Sequence, residues 1–107
     1  KGEISLPEVA RVLAYNPARL LGIYPRKGSL QVGADADFAV FDPQKKWTVE
    51  GAKLVTQSKW SLYEGMPVTG AVLATYVRGE AVFADGQVNR DKKGHGRWIK
   101  KFADYRV

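Results

Sequence analysis

The sequence predicts an α+β fold in which short helices come first and antiparallel strands follow. Apolar residues recur with helical spacing as far as about residue 21, and from there on they alternate with polar residues. Residues 71–88 also contain two glycine-bearing dipeptides between apolar runs, which is typical of hairpin turns. The 107 residues allow one domain with a modest core, whereas a barrel enzyme usually needs roughly 200 residues or more.

The first helix is predicted from a start signal and an apolar stripe. Ser5 and Glu8 have capping-box spacing, and Pro7 lies early in the helix, where its missing N–H costs little. The stripe consists of Val9, Val12 and Leu13. We expect this helix to end near Tyr15.

A second short helix is predicted directly afterwards. Asn16-Pro17 supplies an N-cap residue and a first-turn proline, and Gly22 is a plausible C-terminal stop. The apolar residues between them are Ala18, Leu20 and Leu21. Two helices at an angle follow from the break at Asn16.

Strands are predicted from the alternating pattern that begins at Ser29-Leu30 and continues at residues 38–41. In residues 71–88, Gly79-Glu80 and Asp85-Gly86 each fit a two-residue turn, so three strands are expected to form a meander. The first turn sets the register, and the predicted pairs are Arg78 with Ala81, Val77 with Val82, and Tyr76 with Phe83. Both faces of these strands are apolar in places, so we expect another layer to cover the sheet.

The net charge of +6 is concentrated at the C-terminal end. Residues 1–89 carry ten Lys and Arg against nine Asp and Glu, whereas residues 90–107 carry seven against two. Trp98, Ile99 and Phe102 could form an amphipathic turn there that docks on a surface. A nucleic-acid-binding arm is the alternative, although no RNA-recognition, zinc-finger or helix-turn-helix pattern supports it.

Several classes of protein are disfavoured by composition. The chain has no cysteine, which excludes disulfides, thiolate metal sites and cysteine nucleophiles and makes the cytoplasm the expected location. Its apolar runs are short and interrupted by charge, so neither a membrane span nor a signal peptide is expected. The first residues suggest a cut through a longer protein.

Candidate catalytic and metal-ligating residues are few. Asp35 and Asp37 would share one face of a strand, but no further ligand is spaced to complete a calcium or magnesium site. We therefore expect both aspartates to shape the entry to a strand by bonding backbone N–H groups. His95, the only histidine, is expected to lie in a mobile surface turn.

The sequence gives even less support for a phosphate-binding loop or a catalytic triad. The Gly94-His95-Gly96 stretch lacks the strand and helix of a phosphate-binding loop. Ser58, Ser61 and His95 have no spacing that predicts a catalytic triad. We expect no catalytic, cofactor-binding or metal-binding residue in this chain.

Three stretches carry a resemblance to a known family. They are NPARLLGIYPRKGSLQVGADADFAVFDP (16–43), SLYEGMPVTGAVLATYVRGEAVFADGQV (61–88) and GHGRWIKK (94–101). In this order and spacing they resemble the C-terminal portion of the cyclic amidohydrolases, the group of dihydropyrimidinases, hydantoinases, allantoinases and dihydroorotases within the amidohydrolase superfamily. Residues 23–28 and 63–66 are hydantoinase-like, whereas residues 74–79 also suit allantoinases and dihydroorotases.

The resemblance implies a larger protein, a (β/α)₈ TIM barrel joined to a β-sandwich built from N- and C-terminal strands. Residues 1–24 would be terminal helices of the barrel, residues 25–90 the C-terminal part of the composite β-sandwich, and residues 91–107 a basic C-terminal tail. The intact enzyme would open a cyclic amide ring by hydrolysis, with a binuclear zinc or similar divalent metal centre and a carboxylated lysine in the barrel. This piece would be structural and inactive alone.

The resemblance also implies partners. The N-terminal strands and the barrel of the same full-length protein would cover this piece, and self-association is expected where they do not. A free-standing basic binding module is the rival interpretation, and it predicts nucleic-acid binding with a steep salt dependence.

Overall fold

The computed structural model describes residues 3–99, which form a helical run followed by one antiparallel sheet. The helical run consists of α1 (Leu6–Ala10), a π-helical turn (Arg11–Tyr15) and α2 (Asn16–Leu20). The strands are β1 (Phe38–Thr48), β2 (Pro67–Val77), β3 (Glu80–Ala84) and β4 (Gln87–Val88), and 3₁₀ turns occur at Gly51–Lys53 and Arg90–Lys92. The strand order β1-β2-β3-β4 confirms the α+β class and the meander.

The predicted signals at the two ends of the helical run are confirmed. The Ser5 side chain accepts a hydrogen bond from the Glu8 backbone N–H, and the Glu8 carboxylate accepts one from the Ser5 N–H, which completes the capping box. At the other end the Gly22 and Ile23 amides donate to the carbonyls of Arg19 and Ala18. This pair of bonds is a Schellman stop at the predicted glycine.

The predicted break at Asn16-Pro17 is wrong. Asn16 has helical angles (φ −62°, ψ −46°), and its N–H donates to the Arg11 carbonyl five residues earlier. A regular helix would push the ring of Pro17 against the Leu13 carbonyl, and the wider π turn relieves that clash. The chain therefore continues through the proline instead of capping a new helix.

The strand prediction needs two corrections. Ser29 and Leu30 lie in irregular structure, so the alternating pattern there does not form a strand. The strand predicted at residues 38–41 is confirmed but extends to Thr48, with bulges after Val40 and between Asp42 and Lys46. The bulges let the longer strand remain paired with β2.

The predicted register of the first hairpin is also wrong. The turn residues are Arg78 and Gly79, so Val77 pairs with Glu80 and Tyr76 with Ala81. Both turn residues have positive φ (47° and 79°), the combination that a type I′ turn needs. Thr75 then pairs with Phe83, which leaves Val82 as an extra, bulged residue. The Asp85-Gly86 turn is confirmed, because Ala84 pairs with Gln87.

The segment after α2 folds back onto the helical run. Gly28 has a φ of +80°, and a Cβ added there would lie 2.5 Å from the Ala18 Cβ and 2.8 Å from the Ala14 carbonyl oxygen. The rings of Tyr15 and Tyr24 meet edge to face, with centroids 5.1 Å apart. Only a glycine lets this loop approach the helix so closely, and the approach places residues 26–37 beside the sheet.

Little of the apolar surface is buried. Ala18 (4% exposed) and Val49 (7%) are the buried apolar residues of the described part, whereas Phe41 remains 45% exposed. The chain exposes 8976 Å², against about 5,900 Å² for a compact monomer of this mass. None of the helices in residues 3–99 combines the length and the hydropathy that a membrane span requires.

Candidate functional site

A cluster of five charged side chains joins the loop after α2 to the first hairpin. We call it the polar junction; its members are Arg26, Lys27, Asp35, Asp37 and Arg78. The loop brings the two cations and the two aspartates together, and the β2–β3 turn supplies the fifth member. The two aspartates singled out in the sequence therefore lie in one cluster.

Lys27 lies at the centre of the polar junction. Its Nζ atom is 2.9 Å from Asp35 Oδ2 and also binds Asp37 Oδ2. Arg26 Nε donates to Asp35 Oδ2 at 3.0 Å, and the Asp35 N–H donates to the Arg26 carbonyl at 2.9 Å. The side chains of Lys27 and Asp35 are each only 20% exposed, so these ion pairs are less screened than surface pairs.

Asp37 holds the hairpin turn. Its Oδ1 atom accepts a hydrogen bond from the Arg78 N–H at 2.8 Å, and the neighbouring Ala36 carbonyl accepts one from the Gly79 N–H at 2.9 Å. Both turn amides are thus satisfied by the segment that enters β1. The expectation that these aspartates bond backbone N–H groups is met at Asp37, whereas Asp35 bonds cationic side chains.

The electrostatics of the polar junction favour the ionised forms of Lys27 and Asp35. Burial alone would lower the pKa of Lys27, but hydrogen bonds and charge from Asp37 and Asp35 outweigh it and raise that pKa above 10.5. Burial would raise the pKa of Asp35, but Lys27 and Arg26 outweigh it and hold that pKa below 3.8. Lys27 and Asp35 therefore behave as fixed charges at neutral pH rather than as a proton donor or acceptor.

His95 does not lie in a free surface turn. Its Nε2 atom is 2.9 Å from the Val77 carbonyl oxygen, and its own carbonyl accepts a hydrogen bond from the Arg78 guanidinium. Because a carbonyl only accepts, Nε2 carries the hydrogen in this contact. The contact spans 18 residues, and no local spacing could have indicated it, because it depends on where the hairpin turns.

The described residues do not suit the zinc centre that the resemblance implies. No group of three or more His, Cys, Asp or Glu side chains that could hold a metal ion occurs between residues 3 and 99. Asp35 and Asp37 are neutralised by cations, and His95 bonds the backbone. Of the serines considered for a triad, Ser61 accepts a hydrogen bond from the Tyr63 N–H at 3.1 Å in a local turn.

A wide apolar groove of about 800 Å³ lies beside the polar junction. Helix residues (Pro7, Ala10, Arg11, Ala14, Tyr15), loop residues (Lys27, Gly28, Ser29, Leu30) and strand-entry residues (Asp37, Phe38, Ala39) line it. Lys27 and Asp37 thus belong both to the polar junction and to the groove wall. Chemically, the groove offers an apolar floor with a charged border, which suits packing of another element better than bond-breaking chemistry.

Comparisons with known proteins fit this architecture. The sequence profile of the amidohydrolase family matches residues 1–82. An L-hydantoinase from Paenarthrobacter aurescens is 41% identical over 101 residues, which cover 94% of this chain and 22% of that protein. A probable allantoinase from Dictyostelium discoideum is 36% identical over 92% of this chain and 19% of its own length.

The solved structures agree. The L-hydantoinase (dihydropyrimidinase) from Arthrobacter aurescens superposes with a TM-score of 0.78 at 43% identity, over 82% of this chain and 20% of that one. This chain therefore spans about a fifth of the length of the relatives that it matches.

Proposed function

This chain belongs to the amidohydrolase family, and from that premise we propose that the whole protein is a metal-dependent hydrolase that opens a cyclic amide ring. The observation that carries the proposal is the 41% identity with an L-hydantoinase, which extends over 94% of the chain. A ring of the hydantoin or dihydropyrimidine type is the favoured substrate, because residues 23–28 and 63–66 are hydantoinase-like. Allantoin and dihydroorotate are the alternatives.

Within that protein, this stretch would be scaffold. Residues 1–24 would belong to the terminal helices of a TIM barrel, residues 25–90 to a composite β-sandwich, and residues 91–107 to a basic tail. The exposed apolar groove supports this role, since it offers a surface to elements outside the chain. A free-standing module would be expected to bury such residues in a core of its own.

The catalytic groups would lie in the rest of the protein. Within the polar junction, Arg26, Lys27, Asp35 and Asp37 are held in ion pairs, and the described residues contain no cluster with the ligand set of a binuclear centre. The divalent metal, zinc or a similar ion with a carboxylated lysine, would therefore be bound by barrel residues. It would supply Lewis-acid activation of the ring carbonyl.

The test compares the complete gene product with the 107-residue chain. The complete product, loaded with zinc, is expected to hydrolyse hydantoin or dihydrouracil and to lose activity on chelation, with allantoin and dihydroorotate assayed in parallel. The chain alone is expected to be inactive on all four and to retain no zinc after dialysis. Failure of the zinc-loaded complete product on all four rings would overturn the enzymatic proposal, and one tightly held zinc per isolated chain would overturn the scaffold role.

A further inference from the structure

The segment after β4 is bound along the outside of the first hairpin. We call residues 89–95 the strap. The Asn89 N–H donates to the Val82 carbonyl at 2.9 Å, and its side-chain amide donates to the Ala81 carbonyl at 3.2 Å. Lys92 Nζ lies 2.5 Å from Glu80 Oε2. Together with the contact from His95 to Val77, these bonds follow the hairpin backwards from position 82 to position 77.

The strap ends on Arg78, which is held from two sides. Its backbone N–H donates to Asp37 and its guanidinium donates to the His95 carbonyl. Arg78 has a φ of 47°, a left-handed conformation that is unfavourable for a non-glycine residue. Such a conformation persists where the surrounding structure holds it. Here the strand-entry segment holds the Arg78 backbone through Asp37, and the strap holds the Arg78 guanidinium through the His95 carbonyl.

We propose that docking of the strap and closure of the polar junction are coupled through Arg78. If the strap detaches, the Arg78 guanidinium loses its acceptor and the turn is held only by Asp37, so the Asp37–Arg78 bond weakens. Coupling of this kind is reciprocal, and loosening the junction must weaken the strap by the same factor. Lys27 and Asp37 also line the apolar groove. Detachment of the strap would therefore also loosen this part of the groove wall.

Hydrogen exchange followed by mass spectrometry tests the coupling on the purified complete protein. His95→Ala removes one strap contact and is expected to accelerate exchange roughly tenfold in residues 89–97 and, more importantly, also in residues 26–37. Asp37→Ala is expected to accelerate exchange in the same two regions. His95→Gln keeps a side-chain N–H donor and should restore part of the protection. The control Lys53→Ala breaks an exposed pair with Glu50 and should change neither region.

Two results would overturn the coupling. One is a purely local response, in which His95→Ala changes only residues 89–97 and Asp37→Ala changes only residues 26–37. The other is equal acceleration everywhere, including the Trp47–Val68 pair of β1 and β2, in His95→Gln as well as His95→Ala. That result would mean a general loss of stability. Neither outcome depends on hydrolase activity, so the inference can fail while the proposed function stands.

Discussion

The Asp37 carboxylate accepts a hydrogen bond at 2.8 Å from the backbone N–H of Arg78, 41 residues further along the chain. This bond joins the entry of β1 to the turn between β2 and β3, and the second oxygen of the same carboxylate binds Lys27. One side chain thus connects the loop that packs on the helices to the sheet. Asp37 and its neighbours are the natural targets for stability experiments.

Replacing Asp37 by alanine is expected to lower the free energy of unfolding by about 1.5 to 3 kcal/mol, because a charge-assisted bond is lost and the Arg78 N–H loses its partner. Urea titration followed by circular dichroism would measure the change. Asp37→Asn keeps an acceptor oxygen and should cost less. Asp42→Ala removes an exposed local bond to the Gln44 N–H and serves as the control. Equal losses for Asp37→Ala and Asp42→Ala would contradict the assignment.

The lowered pKa of Asp35 predicts a specific acid sensitivity. A carboxyl whose pKa is lower in the folded chain than its usual 3.8 stabilises the fold above that pH. The contribution is lost as the pH falls through the folded-state pKa, because the unfolded chain binds the proton first. In urea titrations from about pH 6 to about pH 2, the free energy of unfolding should therefore fall less steeply for Asp35→Asn than for the wild type. Parallel curves for the two proteins would count against the ion pairs.

The raised pKa of Lys27 acts at the opposite end of the scale. Its charged form stabilises the fold below its usual pKa of 10.5, and this contribution is lost as the pH rises through the higher folded-state value. In urea titrations above about pH 9, the free energy of unfolding should fall less steeply with pH for Lys27→Met than for the wild type. The exposed Lys53→Met is the matched control, and an identical effect of both changes would refute the prediction.

Gly28→Ala is expected to destabilise the chain by about 2 to 4 kcal/mol through overpacking and backbone strain. The added Cβ would lie 2.5 Å from the Ala18 Cβ and 2.8 Å from the Ala14 carbonyl oxygen. Because that carbonyl belongs to the helix backbone, it cannot move aside without disturbing the helix. Gly33→Ala is a matched control, since Gly33 also has a positive φ (+90°) but nothing within 4 Å of an added Cβ. The difference between the two melting temperatures isolates the clash, and similar temperatures would show that the loop does not approach the helix so closely.

Gly86→Val should destabilise the second hairpin by roughly 1 to 3 kcal/mol, whereas Gln87→Thr should be nearly neutral. Gly86 has a φ of +75° and open space around an added Cβ, so the cost would come from the backbone alone. Thermal melts of the two variants against the wild type provide the measurement. Unchanged melting of Gly86→Val would contradict the two-residue turn.

The 107-residue chain is expected to self-associate when it is produced alone. Val40, Phe41, Val72 and Leu73 are 38–46% exposed, and Trp98 is 84% exposed. Burying one large apolar side chain stabilises a contact by about 1.5–3 kcal/mol, so a few of them suffice for a stable dimer. Phe102, which is expected to assist, lies outside the described residues. Sedimentation at micromolar concentration should show oligomers; a well-folded monomer would favour the independent-module interpretation instead.

Structural features that depend on neighbouring residues were predicted correctly from the sequence. The capping box at Ser5 and Glu8, the glycine stop at Gly22 and the Asp85-Gly86 turn each depend on a few adjacent residues. The family resemblance likewise rests on contiguous stretches, and the profile match to residues 1–82 confirms it. Of the two aspartates predicted to bond backbone N–H groups, Asp37 does so, whereas Asp35 bonds cationic side chains instead.

The tertiary structure decided whatever depended on distant residues. Gly79-Glu80 was a sound local choice for a turn, but bonds from Asp37 and Ala36 to the Arg78 and Gly79 amides hold the turn one residue earlier. His95 found its partner only because the strap returns along the hairpin. Local propensities differ by a few tenths to about 1 kcal/mol, and one long-range charged hydrogen bond of about 1.5–3 kcal/mol is enough to override them.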